Sequence, residues 1–256
     1  MTDRAPHLHL YVWDERFLYL GPSTATTLHR NHAAVWLAGA DGKLRVTMAD
    51  GTRFERQVVF LPSGAEYASE EDASLIAALY WEPESASYQR IAERFDNVPR
   101  GFDCLWANGE GWAILQKYST TLSEAEQLMA KIFDVPADPS EPAPLKDPRI
   151  AAALTLLREA PQDYDHLETL AERVHLSPSR FAHLFKDEVG VPVRRYVLWL
   201  KMRRALDHAI AGDSLTSAAI SAGFADSAHL SRTVRAMMGV APEFLFRHRE
   251  RLVIHK

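Results

Sequence analysis

Residues 167–186 read LETLAERVHLSPSRFAHLFK, and residues 216–239 read TSAAISAGFADSAHLSRTVRAMMG. Each stretch has what two short helices need to cross over a tight turn. The crossing requires a small residue on the first helix and apolar residues on the inner face of the second. In the first stretch Ala171 is small, VHLS spans the turn, and Phe181 and Leu184 face inward. His175 stands where glycine is more usual, and histidine tolerates positive φ better than most side chains. In the second stretch Ala219 is small, Gly223 makes the turn, and Leu230 and Val234 face inward. From the second helix of each unit onward the offset is 49 residues: Phe181 matches Leu230, Phe185 matches Val234, Lys186 matches Arg235 and Gly190 matches Gly239. A single amphipathic helix is usually just a solvated face. Two units in register are far more specific.

Around these stretches the chain from Pro148 onward carries helix signals alone. Seven helices are expected, at about 148–160, 166–174, 178–189, 192–211, 216–222, 227–238 and 242–251. Pro161 follows the first, and Asp165 with Glu168 forms a cap box for the second. Ser177 and Pro178 place a cap and a proline at the start of the third, where the missing N–H costs nothing. Gly190 and Gly239 close helices, while Pro192 and Pro242 open the next ones.

Immediately upstream, residues 134–149 read DVPADPSEPAPLKDPR, with five prolines and no apolar periodicity. Proline fixes φ and disfavours helix at the preceding residue, so a stiff extended linker is expected over 134–147. It separates an N-terminal domain, 1–133, from a C-terminal one, 148–256. In the first, HLHLYVW, RFLYL, AAVWLAG, KLRVTM, TRFERQVVFL and SLIAALYW read as strands between turn signals such as GPS, ADG and PSG. Strands at this spacing suggest a small antiparallel barrel or sandwich. From Ser87 to Phe133 the pattern turns helical, as in SYQRIAERF and TLSEAEQLMAKIF, with Ser123 and Glu126 spaced as a capping box. The fold class is α+β with two domains: an N-terminal antiparallel β-barrel with flanking helices, then an all-α, seven-helix double helix-turn-helix.

Composition narrows the function. Hydrophobic residues make up 47% and charged residues 25%, ordinary values for a globular protein. No apolar run approaches the roughly 18 residues of a membrane span, and MTDRAPHLHL lacks the basic-then-apolar plan of a secretory signal. The cytoplasm is the expected location, with no membrane partner. Cys104 is the single cysteine, which excludes an intramolecular disulfide and a cysteine-based zinc cluster. The net charge of −5 averages two unlike halves. Residues 1–145 hold 12 Lys+Arg against 21 Asp+Glu, whereas residues 146–256 hold 17 against 13. A basic module tied to an acidic one suits a nucleic-acid-binding domain with a sensor attached.

SRFAHLFKDEVGVPVRRYVLWLKMRRA, AISAGFADS and HLSRTVRAMMGVAPEFL together resemble the AraC family of bacterial transcription regulators, over about residues 148–251. Leu230 and Val234 depart from the family's usual phenylalanines, and Met238 precedes Gly239; all stay apolar. The resemblance implies that the long fourth helix joins the two units and that they enter successive major-groove segments on one face of double-stranded DNA. It also implies, more loosely, a cupin-like sensor domain upstream, with a small-molecule pocket or a dimerisation role.

A recognition helix presents the outer face of its N-terminal part to base edges and its flanks to phosphates. Ser179, His183, Ser227, Ser231 and Arg232 are therefore the expected base-reading residues, and Arg180, Lys186 and Arg235 the expected phosphate anchors. Arg232 suits a bidentate guanine contact, worth about 1–3 kcal/mol of discrimination. Arg203 and Arg204 suit phosphate contact or an internal ion pair equally. In the first domain His29, His32, Trp36, Tyr67 and Tyr80 are candidate effector-pocket residues, with core or rim as the alternative reading, and Trp106 and Trp112 flank an NGEG turn. No metal site and no cofactor are expected, because HRNH has the wrong spacing for a cupin centre.

The function expected is a non-enzymatic, sequence-specific transcription regulator controlled by a small-molecule effector. Two alternatives stand beside it: a cupin-type metal enzyme fused to a DNA-binding module, and an effector-independent architectural DNA binder. RNA polymerase becomes a partner if the protein activates, and a homodimer is left open.

Overall fold

The structure, a computed structural model, describes residues 8–13, 15–40, 42–70, 75–103, 121–133, 147–164, 166–242, 250 and 252–255. Cys104, Trp106, Trp112, Asp165, nearly all of the proline-rich linker and most of the expected seventh helix lie outside the described residues. Two compact units divide the chain: Met1–Pro142 with Met238–Val240 and Arg247–Lys256, and Ala143–Met237 with Ala241–Phe246.

The first unit is built on two sheets. Its strands are β1 (Leu8–Val12), β2 (Arg16–Pro22), β3 (Thr26–Arg30), β4 (Ala34–Gly39), β5 (Leu44–Met48), β6 (Arg53–Arg56), β7 (Val58–Leu61), β8 (Glu66–Ser69), β9 (Leu75–Trp81), β10 (Arg100–Phe102) and β11 (Leu252–His255). Seven strands form one sheet in the order β10-β7-β4-β9-β2-β1-β11, and four form the other, β3-β8-β5-β6. The expected closed barrel is therefore corrected to two open sheets. The reason lies in TRFERQVVFL, which reads as one run but breaks at Gln57. RFER is largely exposed and pairs with β5 in the small sheet, whereas VVFL is fully buried and pairs with β4 in the large one.

Alternation along the large sheet explains the layering, because successive side chains point to opposite faces. Ala34, Trp36 and Ala38 of β4 share a core with Leu79, Trp81 and Phe60. Helices α1 (Ala86–Arg94) and α2 (Leu122–Phe133) cover that face through Tyr88, Ile91, Ala125 and Met129. Val35 and Leu37 point the other way, into a second core with Val59, Ala78 and, from the small sheet, Val46, Met48 and Tyr67. The capping box of α2 is Thr121 with Glu124, two residues earlier than the expected Ser123 and Glu126: each side chain bonds the other residue's backbone N–H. Glu126 instead takes an ion pair with the buried Arg16 of β2. The terminal strand β11 runs parallel to β1, in a region where the sequence reading saw helix signals alone.

The second unit is helical: α3 (Pro148–Glu159), a 3-10 turn (Pro161–Asp163), α4 (Leu167–Arg173), α5 (Pro178–Val189), α6 (Val193–Ala211) and α7 (Leu215–Ser221), with α8 (Ser227–Met238) closing the set. Six of these are α-helices where seven were expected, making eight in the chain among the described residues. The helix expected over 166–174 begins at Leu167 with His166 at its cap, and no side-chain cap bond is made there. The long α6 buries Tyr196, Trp199, Leu200 and Met202 in successive turns, so apolar surface surrounds it on several sides. Such a helix belongs at the centre of a bundle. Among the described residues no helix is long and apolar enough to cross a membrane.

Candidate nucleic-acid interface

The two helix-turn-helix units share their geometry atom for atom at the turn. In the first, the Leu176 N–H donates to Ala171 O at 2.9 Å; in the second, the Phe224 N–H donates to Ala219 O at 2.9 Å. Ala171 and Ala219 are both fully buried, as a close helix crossing requires. The residue before the closing bond adopts positive φ in both: 56° at His175 and 83° at Gly223. Up to this point the offset is 48 residues. One extra residue, Ala225, then separates the turn from the next helix and sets the offset to 49. Each recognition helix opens with a cap three residues ahead of the N–H it bonds. Ser177 accepts from the Arg180 N–H at 3.4 Å, and Asp226 accepts from the His229 N–H at 2.6 Å.

Inner faces follow the expected spacing. Phe181 and Phe185 of α5 are fully buried, and Phe185 meets Tyr196 of α6 edge-on with ring centroids 5.6 Å apart. Leu230 and Val234 of α8 are also buried. Outer faces differ in detail. Ser179, Arg180, His183 and Lys186 are exposed on α5; Arg232 and Arg235 are exposed on α8, but Ser227 and Ser231 are half-buried. Six of the eight expected contact residues are exposed, four on α5 and two on α8, and on α8 both are arginines.

Local electrostatics adds one feature that sequence spacing did not reveal. Asp147 caps α3 by accepting from the Arg149 N–H at 2.9 Å, and it also pairs with the Arg149 guanidinium at 2.7 Å. Those bonds hold its carboxyl down to about 2, and the nearby charge of Arg180 works in the same direction. One expected phosphate anchor therefore sits within the field of an acidic helix cap.

Arg204 resolves one of the open alternatives. Its guanidinium bonds the carbonyls of Arg158 and Glu159 at the end of α3 and the side chain of Gln162. A cation at a helix C-terminus satisfies carbonyls that have no partner within the helix. Arg204 is an internal brace.

In the first unit the five candidate pocket residues are buried or partly buried but do not converge. Trp36 packs on the helix-covered face of the large sheet with Phe60, Phe95 and Phe102. Tyr67 and Tyr80 belong to the opposite, inter-sheet core. His29 lies against Tyr67, ring centroids 4.4 Å apart, and its Nδ1 is 2.9 Å from Thr27 O. His32 is fully buried in the β3–β4 connection. Sequence reading missed Tyr19, which joins Tyr67 and Tyr80 between the sheets; alternation along RFLYL, with Leu18 and Leu20 on the other face, carried that signal. Burial raises all three phenols, Tyr80 to about 12. Among the described residues no group of three or more His, Cys, Asp or Glu could hold a metal ion.

Residues 170–248 match the family described as "Helix-turn-helix domain". The chain resembles apo ToxT (a point variant) from Vibrio cholerae strain SCE256 at 13% identity, covering 91% of this chain and 98% of that one, with a TM-score of 0.62. Wild-type ToxT of the same strain with an unsaturated fatty acid bound gives 12% identity, 91% and 96% coverage, and a TM-score of 0.58. ToxT from Vibrio cholerae O395 bound to (E)-4-(8-methylnaphthalen-1-yl)but-3-enoic acid gives 12%, 91% and 98%, and 0.55. At these identities the likeness is one of fold. No curated protein is matched by the sequence.

Proposed function

We propose that this chain, whose residues 170–248 carry an AraC-type helix-turn-helix domain, is a sequence-specific DNA-binding transcription regulator. The observation that carries the reading is the repeated turn: two units with a buried alanine, a turn hydrogen bond and a positive-φ residue at matching positions. An architectural helix bundle has no need to repeat that geometry. Residues 148–256 act as the DNA-binding domain, except the last strand, β11, which joins the sheet of the first unit. Ser179, His183, Ser227, Ser231 and Arg232 read base edges, with Arg232 the leading contact, while Arg180, Lys186 and Arg235 hold phosphates. The reading assigns no catalytic step, and it locates the protein in the cytoplasm with the DNA. RNA polymerase is a partner only if the protein activates, and pairing of two chains would double the site.

The first domain, 1–133 with the linker after it, serves as the sensor. A small apolar molecule carrying one hydrogen-bonding group suits the layer between its sheets, where Tyr67 and Tyr80 bring phenols into an otherwise apolar core beside His29, while the Tyr19 hydroxyl donates to the Pro22 carbonyl at 3.0 Å. A neighbour in fold, ToxT, has been solved with an unsaturated fatty acid bound, which supports a small apolar effector here.

The test is binding to a duplex selected by the chain from a random pool, at two salt concentrations. The selected duplex should be preferred over bulk DNA, and affinity should fall as salt rises, because phosphate contacts release counterions. Arg232→Ala should erase most of the preference. A chain that selects no duplex, or a variant with unchanged preference, rejects sequence-specific regulation through this helix.

A further inference from the structure

Lys201 lies on the central helix α6, 3% exposed, in surroundings made mainly of apolar side chains. Burying an ammonium is costly, so its hydrogen-bond partners must matter. Its Nζ donates to the carbonyl of Gly223 at 3.2 Å. Gly223 is the turn residue of the second helix-turn-helix unit, at φ +83°. One turn along α6, Arg204 holds the end of α3 and the side chain of Gln162. Residues three apart share a helix face, so this face of α6 grips the end of α3 with one cation and the second turn with the other. Gln162 completes the set: a Cβ added at Gly223 would stand 2.9 Å from the Gln162 Cβ and 3.4 Å from the Lys201 Cε.

The first helix-turn-helix unit is joined to α6 in a different way. It is fused to that helix by the short Gly190–Pro192 connection and by the packing of Phe185 on Tyr196. The second unit follows α6 through Gly212 and Asp213, and the Lys201 bond fixes its turn directly to the shared helix.

We propose that Lys201, with Gln162 and Arg204, is a positioning joint that sets the second helix-turn-helix unit at a fixed angle and distance from the first, and so sets the spacing between the two DNA segments the protein accepts. The proposal rests on the DNA-binding reading above. Lys201 touches no DNA; it acts through the Gly223 turn. Binding through two linked modules gains from simultaneous engagement only when geometry permits both. A rigid joint therefore makes affinity depend sharply on the number of base pairs between segments. Inserting one base pair turns the second segment by about 35° relative to the first.

The experiment uses the full chain and a duplex selected by the wild-type protein, with versions lengthened and shortened by one base pair between the two protected segments. The wild type should bind each altered duplex about tenfold or more weakly than the selected one, in the range that lost bivalent engagement allows. Lys201→Met, which keeps volume and removes the donor, should compress that ratio to about threefold or less, by loss of the same geometric constraint. Lys201→Arg, which keeps a donor, should restore most of the discrimination. A role in stability alone would lower the melting temperature and weaken all three duplexes equally; an unchanged spacing ratio in folded Lys201→Met overturns the proposal. If that variant does not fold, Gln162→Ala replaces it. Gln162 is exposed, and its removal should widen spacing tolerance to a smaller degree, with an unchanged ratio again overturning the joint. Failure of the wild type to select any duplex would overturn both the regulator reading and the joint. A selected duplex with unaltered spacing dependence overturns the joint alone.

Discussion

The two helix-turn-helix units share a turn but not a core or an outer surface. The first is packed with aromatic rings: Phe181, Phe185 and Tyr196 meet edge-on at 5.6–5.7 Å between centroids. The second uses Ala218, Ala219, Leu230 and Val234, with a smaller aromatic contribution from Phe224, which meets His229 edge-on at 5.2 Å. Outward, the first offers serine, arginine, histidine and lysine, while the second relies on Arg232 and Arg235 with its serines half-buried. The turn differs too, an exposed His175 against a Gly223 held from behind by Lys201. The backbone geometry of the turn is therefore the constant, and stability and recognition are distributed unequally around it.

The largest expected effect breaks the two cores apart. Phe181→Ala should destabilise the helical unit by about 3–5 kcal/mol, and Leu230→Ala by about 2–5 kcal/mol, because truncation leaves a cavity as well as losing transfer energy. Urea unfolding of both variants checks the order. Equal costs would show that the aromatic cluster adds nothing beyond its area.

Next comes the recognition surface. Arg232→Ala should lose about 1–3 kcal/mol of discrimination at one base position. His183→Ala, at the matched position of the first unit, should lose less, since imidazole cannot make the bidentate guanine contact. Competition binding against single-base variants of a selected duplex reads both. The reverse order would place the leading contact in the first unit.

Helix caps give a smaller and more symmetric effect. Ser177→Ala and Asp226→Ala should each cost about 1 kcal/mol of stability. The DNA response should differ. Removing the Asp226 carboxylate takes a negative charge from the start of α8 and should strengthen binding to bulk DNA at low salt. Ser177→Ala should leave bulk binding as it is.

The smallest effect is acid-dependent and belongs to the first unit's side alone. Asp147 is held down to about 2 by Arg149. A depressed carboxylate contributes stability that is complete above its ordinary value near 4 and is lost as pH falls toward about 2. Acid unfolding of the parent should therefore be steeper across that window than unfolding of Asp147→Asn. Coincident curves would remove Asp147 from the account.

Legibility in the sequence followed the range of the interactions. The helical unit was readable because its signals are local: Ser177 before Pro178, Gly190 after Val189, and a 49-residue echo of apolar spacing. His175 at positive φ was readable for the same reason. The strands of the first unit were mostly found, yet their grouping into two sheets was not. Sheet membership depends on partners far along the chain, and nothing in TRFERQVVFL alone says that Gln57 is a corner. Short polar strands such as TTLHR and EYAS carry too little alternation to be seen. Trp36 was grouped with Tyr67 and Tyr80 as pocket residues, whereas the period of two puts it on the opposite face. Arg204 could not be assigned from spacing, because its acceptors lie more than forty residues upstream.

Both units of one chain should engage one face of the same DNA. Hydroxyl-radical footprinting of the full chain on a selected duplex tests it most directly. Two protected segments are expected about one helical turn, roughly 10 base pairs, apart, with Arg232→Ala weakening protection chiefly at one of them. A single protected segment, or protection spread evenly along the duplex, would contradict it.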